Sequence, residues 1–319
     1  MLNLRVVVVA LVVYLCVPAM QGFAQEGPNE FNKMGFSQSV GIVKFFNSFT
    51  SYQFPNPFPP GQNPLSRLEF PVDQWFTGGT VVYAAPTWTV QGEAWTNLSR
   101  EGDRKMQDSD WDDDDNVSQK TIFSESKCRL NKGTLIDVGC SIATPLEQAL
   151  FVRPIIGYRY QYFYFTTHDG FQSSLDGSSF ALPGDGIDFK QRFDHYYFGA
   201  ICSTNLRLPV FSDIFPRANM ELKFDYAVVR AKNEDLHLLR QGNHVTADTT
   251  KGHCWHLAAG LDFFAADYLR ARVYGDFKRV LTDGSHNLSN GLFALDFSWD
   301  GSHVWSDQTS ILAEGILYF

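Results

Sequence analysis

Hydrophobic and polar residues alternate along several stretches of the chain. Residues 268–280 are the clearest example, because apolar residues occupy every second position there. The apolar positions are Leu269, Ala271, Val273, Gly275 and Phe277, and the positions between them are Arg270, Arg272, Tyr274, Asp276 and Lys278. Segments 152–164 and 220–228 repeat the same period of two. The pattern predicts β-strands, and the long charged face argues against the dry core of a β-sandwich.

About ten strands of this kind follow one another along the chain. Their predicted starts lie near Phe36, Ser66, Trp88, Ser124, Ala149, Phe189, Ala218, Gly252, Tyr268 and Trp305. Short connections alternate with long ones, and the last strand ends on Phe319. The long connections lie near 52–65, 101–123, 166–188, 238–251 and 282–303.

These features predict an all-β fold, a ten-stranded antiparallel transmembrane β-barrel of the bacterial outer membrane. Apolar side chains would face lipid, charged side chains would fill the interior, and the long connections would be extracellular loops. The short connections would be periplasmic turns. A soluble β-sandwich would explain the alternation, but neither the charged inner faces nor the terminal Phe. A row of tyrosines on one predicted strand suggests an interfacial girdle, namely Tyr158, Tyr160, Tyr162 and Tyr164.

Residues 1–24 have the features of a secretory signal peptide, with Arg5 before an apolar segment and Ala24 at a small-residue cleavage site. Residues 25–319 would then form a single barrel domain. Loss of Arg5 changes the net charge of −9 to −10 in the predicted mature chain. The four remaining cysteines fit no zinc pattern, and the sequence leaves any disulfide pairing open.

Composition excludes several other classes of protein. With 44% hydrophobic and 19% charged residues, the chain is too apolar for an intrinsically disordered protein. No apolar run after position 20 reaches the roughly 20 residues that a membrane helix needs. The acidic balance gives no support for nucleic-acid binding.

Two short acidic segments carry candidate chemistry. Asp108 and Asp110 share one face of an extended chain, as do Asp235 and His237. Paired carboxylates and an acid beside an imidazole are both suited to acid/base catalysis. The alternatives are a solvated loop at 108–115 and a structural role for the Asp-His pair. A calcium loop does not fit, because the Gly and Glu it requires are missing, and the expected site contains no metal.

The chain resembles the omptin family, ten-stranded outer-membrane endopeptidases of Gram-negative bacteria. Segment 102–111, Gly-Asp-Arg-Lys-Met-Gln-Asp-Ser-Asp-Trp, resembles the family's paired-Asp motif, and Asp235-x-His237 resembles its Asp-His motif. Segments 65–70 and 190–193 also match. The resemblance implies a protease whose nucleophile is a water molecule held between the two pairs. His237 would be the general base, Asp235 would orient it, and Asp108 with Asp110 would position the water. The joint occurrence of these motifs is more specific than any one of them.

The resemblance also implies that activity depends on lipopolysaccharide, bound by Arg192 and Lys251 on the barrel exterior. Snorkelling side chains are the alternative interpretation of these two cations. The motif His253-x-x-His256 could suggest a metal pair, but its spacing puts the two rings on opposite faces of a strand.

The sequence departs from the family in its specificity pocket. Asn233 replaces one pocket acid, segment 51–54 lacks the other, and Cys128 replaces a histidine near the cleft. Glu234 or the acidic run 112–115 could compensate. We therefore predict a surface endopeptidase with an extracellular active site, acting on cationic peptides or proteins. The alternatives are a barrel without protease activity, acting as an adhesin or surface-structural protein, and a small pore.

Overall fold

The computed structural model describes residues 35–142, 151–206, 217–266 and 268–319. The predicted signal peptide at 1–24 lies outside these residues, as does the predicted turn at 143–147. Regular structure in the described part consists of β-strands. No helix within it is long and apolar enough to cross a membrane.

Thirteen strands occur in the described residues. They are β1 (Gly35–Phe45), β2 (Phe49–Phe54), β3 (Ser66–Pro71), β4 (Trp75–Ala84), β5 (Trp88–Asn97), β6 (Met106–Asp110), β7 (Ile122–Ile142), β8 (Phe151–Ser174), β9 (Ser179–Leu206), β10 (Arg217–His237), β11 (His244–Ala266), β12 (Leu269–Asn290) and β13 (Leu295–Tyr318).

The strands close into one antiparallel ring. Three strands of the ring are each interrupted once, so that β1 continues into β2, β3 into β4, and β5 into β6. The lower segments β1, β4 and β5 and the upper segments β2, β3 and β6 each complete the circle between β13 and β7. Pairing of β1 with β13 and of β7 with β8 closes the ring. The barrel therefore has ten strands at either level, which confirms the predicted ten-stranded antiparallel barrel.

The alternation predicts which side chains face outward. On β10, Phe224 and Val228 are 46% and 56% exposed, whereas Asp225 between them is fully buried. On β8, Ile156 faces outward and Arg159 is buried inside. His253 stacks against Tyr226 on the outside, and His256 lies inside, so these two histidines face apart as predicted.

Three of the five predicted extracellular loops, 166–188, 238–251 and 282–303, are mostly strand. Segment 166–188 belongs to the hairpin of β8 and β9, whose turn spans 175–178, and β12 and β13 extend far into segment 282–303. The prediction was wrong here because it relied on apolar outward positions. Above the membrane both faces of a hairpin can be polar, while its backbone hydrogen bonds still form.

A layer of aromatic rings fills the barrel interior at mid-height. Phe189 stacks on Phe70 at 4.1 Å and on Tyr52 at 5.4 Å between ring centroids, and Phe165 lies 5.4 Å from Phe70. All four side chains are buried. Many aromatic residues thus form an interior layer, in addition to the tyrosines of β8 on the outside.

Charged residues line the interior below this layer. Arg159 donates to Asp137 and Asp225, at 2.9 and 3.1 Å, and His256 bridges Asp225 and Asp276. A cavity of about 1110 Å³ lies beside them. The interior is therefore filled at the aromatic layer, as predicted, but not in its lower half.

The four described cysteines are free, and Cys128 and Cys254 are buried. Cys128 and Cys140 lie 12 residues apart on the same strand, β7, which is too far for a bridge between them.

The aromatic layer gives a test of stability. Substitution Phe189→Ala should lower the free energy of unfolding by about 3–5 kcal/mol, because the lost ring leaves a cavity between Tyr52 and Phe70. Urea unfolding in detergent micelles measures the change. The matched control is Phe180→Ala, at a 49% exposed position near the outer end of β9, where we expect a change within about 0.5 kcal/mol. Equal losses at the two positions would contradict the packing role of the layer.

Candidate active site

The predicted aspartate pair lies on β6, between β3 and β7. Asp108 is opposite Leu68 and Ser124, and Asp110 is opposite Ser66. Since Leu68 is a buried interior residue, both carboxylates point into the barrel mouth. Asp108 Oδ1 is buried and has no hydrogen-bond partner among the described residues.

Burial raises the pKa of Asp108 well above its ordinary value, and the charges of Asp110 and Asp235 raise it further. Burial also raises the pKa of Asp110, although a hydrogen bond from Ser66 opposes this effect. The pair therefore retains a proton at higher pH than an exposed aspartate does.

The predicted Asp-His pair lies near the outer end of β10. Asp235 is 1% exposed, and its Oδ2 accepts a hydrogen bond from the Tyr52 hydroxyl. Its other oxygen, Oδ1, lies 3.5 Å from His237 Nε2. The sequence analysis did not identify Tyr52 as a site residue, because the segment of β2 around it, Phe49–Phe54, shows no regular alternation of apolar and polar residues.

The site lies at the opposite end of β10 from Arg217, farther along the barrel than a lipid-covered band is expected to reach. From Arg217 to Asp235 the strand β10 rises roughly 40 Å for a tilt of about 45°, whereas the apolar band of an outer-membrane barrel is roughly 25 Å tall.

The surroundings shift the pKa values of both members of the Asp-His pair. Burial raises the pKa of Asp235 to about 7, and the Tyr52 hydrogen bond acts against this rise. Burial, together with the charge of Arg240 and with His244, lowers the pKa of His237 to about 3. His237 is consequently a neutral imidazole across the physiological range, and Asp235 changes its charge near neutral pH.

The barrel brings the four predicted residues to one mouth. On one side of the ring β7, β8 and β9 separate β6 from β10, and on the other side β3, β2, β13, β12 and β11 do so. The charge of Asp235 raises the pKa of Asp108, and Arg240 lowers that of Asp108 and of His237. The two pairs therefore share one electrostatic environment.

Asn233 occupies the position of a pocket acid in the family motif. Its Nδ2 donates to Asp248 Oδ2 at 3.3 Å. The other oxygen of Asp248 accepts from Ser302 Oγ at 2.5 Å and is hydrogen-bonded to His286 Nδ1 at 2.8 Å. Asp248 is thus a buried acid near the site that the sequence analysis missed, because only the pairing of β10 with β11 places it opposite Asn233.

The two proposed substitutes for the pocket acids do not lie in a pocket. Glu234 points to the outside and forms an ion pair with Lys190 at 2.6 Å, so the suggestion that it compensates was wrong. The run at 112–115 is an exposed loop, in which Asp114 accepts a hydrogen bond from Gln62. No cluster of three or more His, Cys, Asp or Glu in the described residues is arranged to hold a metal ion.

The two cations predicted to bind lipid lie on the barrel exterior. Arg192 is exposed on β9, forms an ion pair with Asp194 at 2.8 Å and packs over the Tyr160 ring. Lys251 is exposed on β11. Strand β10 separates them and contributes two further exposed cations, Arg230 opposite Lys251 and Lys232 opposite Arg192.

Comparison with known proteins identifies relatives of this barrel. The Omptin family model matches residues 61–279. The crystal structure of the outer membrane protease OmpT from Escherichia coli superposes with a TM-score of 0.77 at 17% identity, covering 93% of this chain and 99% of that one. No curated protein sequence matches the chain significantly.

A second solved structure, the translocator domain of the autotransporter NalP from Neisseria meningitidis, covers 97% of this chain and 95% of its own. Its TM-score of 0.32 and identity of 6% carry no argument about fold.

The family model spans more than half of the chain. The closed ring of ten strands agrees with the fold of the E. coli protease. The chain therefore belongs to the omptin family of Gram-negative outer-membrane proteases.

Proposed function

We propose that the protein is an endopeptidase that cleaves peptides and proteins at the cell surface, with a water molecule as the nucleophile. One observation carries the proposal. Asp108 Oδ1 and Asp235 Oδ1 are both buried and lack hydrogen-bond partners in the described part of the chain, and His237 lies beside the second of them. Buried carboxylate oxygens need hydrogen-bond donors, and a water molecule between the two walls would supply them.

The arrangement supports a simple sequence of proton transfers. His237 Nε2 faces Asp235, so Nδ1 is the nitrogen that accepts a proton as the water oxygen attacks the peptide carbonyl carbon. The Asp235 carboxylate stabilises the resulting imidazolium. The proton held by Asp108 and Asp110 forms a hydrogen bond to the oxyanion of the tetrahedral intermediate. His237 then protonates the leaving amine as the C–N bond breaks.

Charge favours a cationic substrate. The predicted mature chain has a net charge of −10, and the exposed carboxylates at 112–115 flank the mouth of the barrel. An acidic rim raises the local concentration of basic peptides, even though Asn233 has replaced a pocket acid.

Removal of the general base or of the facing acid tests the mechanism. We expect His237→Ala and Asp108→Ala each to reduce kcat by about 10²–10⁴-fold on a mixed peptide library, because each removes a proton-transfer group. The matched control is Asp283→Ala, which removes an exposed carboxylate on β12. Cleavage that survives both substitutions would refute the mechanism. Absence of any cleavage by the wild-type barrel would favour a surface protein without protease activity.

The pH dependence of kcat/KM gives a second test. Asp235 must be ionised to stabilise the imidazolium, so the rate should rise with pH through a midpoint near 7. Asp108 must keep its proton, and the rate should fall again at higher pH as that proton is lost. The profile is then bell-shaped. In Asp235→Asn the residual activity should lack the rising limb, and an unchanged limb would assign it to another group.

The exterior cations support a dependence on lipopolysaccharide. Four cations on three neighbouring strands can form charge-assisted hydrogen bonds to lipid phosphates. We expect lipopolysaccharide to stimulate the refolded wild-type protein, and the double variant Arg192→Ala/Lys251→Ala to need at least tenfold more lipid. The control is Lys127→Ala, which removes a cation nearer the outer end of the barrel. Equal stimulation of all three proteins would exclude this role for the two cations.

A further inference from the structure

A row of aromatic rings connects the outer rim of the barrel with the candidate site. Phe58 lies 5.6 Å from Phe297, and Phe297 lies 5.3 Å from Trp299, measured between ring centroids. Trp299 lies 6.1 Å from Phe54, which is 6.3 Å from Tyr52. These five residues form what we call the aromatic wall. The Tyr52 hydroxyl donates to Asp235, so the wall ends at the proposed catalytic pair.

The upper part of the wall is open to solvent. Phe58 is 61% exposed and Phe297 is 37% exposed, so the two adjacent rings offer an apolar surface to solvent. Trp299 is held in place because its Nε1 donates to the Pro55 carbonyl at 2.9 Å. The indole N–H therefore has its acceptor within the protein, and the face of the ring remains available for contact with a substrate.

The acid behind the wall is already engaged. Asp248 accepts hydrogen bonds from Asn233 and Ser302 and is hydrogen-bonded to His286. His286 in turn stacks on Phe54 at 3.9 Å and lies 4.6 Å from Trp299. A basic substrate side chain would therefore have to compete with three existing contacts in order to reach this carboxylate.

Two kinds of side chain could contact such a wall. Arginine interacts with aromatic faces, but only weakly where water has access. An aromatic side chain removes roughly 150–250 Å² of surface from water on burial and gains ring-to-ring contacts as well. The wall consequently favours an aromatic or large aliphatic side chain over a cation.

We propose that the aromatic wall is a substrate subsite for one aromatic or large aliphatic side chain near the scissile bond. The subsite rests on the proposed protease function, since it positions the peptide beside Asp235. It would add an apolar requirement to the attraction of basic peptides by the acidic rim.

Peptide kinetics test the subsite. A basic fluorogenic peptide is varied at each position within three residues of its cleavage site, with Ala, Leu, Phe, Trp or Arg. At one position the wild-type protein should prefer Phe or Trp over Ala by about tenfold in kcat/KM, mainly through KM. In Phe58→Ala/Phe297→Ala this preference should fall to about twofold or less.

The matched control is Phe293→Ala. Phe293 is 74% exposed in the turn between β12 and β13 and lies outside the aromatic wall, so its loss should leave the preference intact. The proposal is overturned if the wild-type protein shows no apolar preference at any position, or if it prefers Arg at the position that the double variant affects. An equal effect of Phe293→Ala would also overturn it.

A binding measurement separates the subsite from the protease function. Asp108→Ala serves as a protein with strongly reduced cleavage, and quenching of tryptophan fluorescence reports binding of the Phe and Ala peptides before they are cleaved. We expect about tenfold tighter binding of the Phe peptide, which is lost when Phe58→Ala/Phe297→Ala is added. If the wild-type protein cleaves no peptide, the proposed function fails, and this measurement still decides whether the subsite exists. Equal binding of the two peptides would refute the subsite.

Discussion

Closure of the backbone hydrogen-bond ring is the constraint on which the rest of this molecule depends. Lipid supplies no partners for backbone N–H and C=O groups, so each strand must pair on both sides. The interrupted strands satisfy this rule at two levels, since β1 and β2 pair in turn with successive parts of β13. Closure also fixes the register. The register determines that Asp108 lies opposite Leu68, and that Asn233 lies opposite Asp248.

The aromatic layer determines how far the candidate site is shielded from water. Phe70, Phe165 and Phe189 fill the interior and separate the charged lower half from the mouth. A carboxylate above such a layer loses hydration, which is why the pKa of Asp235 rises to about 7 despite the hydrogen bond from Tyr52. The same desolvation lowers the pKa of His237, so that its imidazole is neutral in the absence of substrate. Packing and acid/base chemistry therefore have a common physical origin here.

Much of the fold was predictable from alternation, because inward and outward positions differ in polarity wherever lipid covers the outside. Arg159 and Asp225 were correctly placed inside, and Ile156 and Val228 outside. The prediction failed above the lipid, where segment 166–188 is a β-hairpin rather than a loop. There the outer face contacts water, so polar residues occupy both faces and the alternation no longer indicates a strand. The failure at Glu234 has a simpler cause, since its neighbours Asn233 and Asp235 both point inward.

The amino-acid sequence was sufficient to identify the ten barrel strands, the faces of their lower parts and the two short motifs at Asp108 and Asp235, because alternation and local spacing are properties of a single strand. Contacts between distant strands required the tertiary structure. The Tyr52 hydroxyl donates a hydrogen bond to Asp235, although the two residues are 183 positions apart in the chain. Asp248, His286 and Ser302 form one cluster from three strands, and the aromatic wall combines β2, β13 and the loop after β2. Such contacts depend on the register of the whole ring, which no single strand encodes.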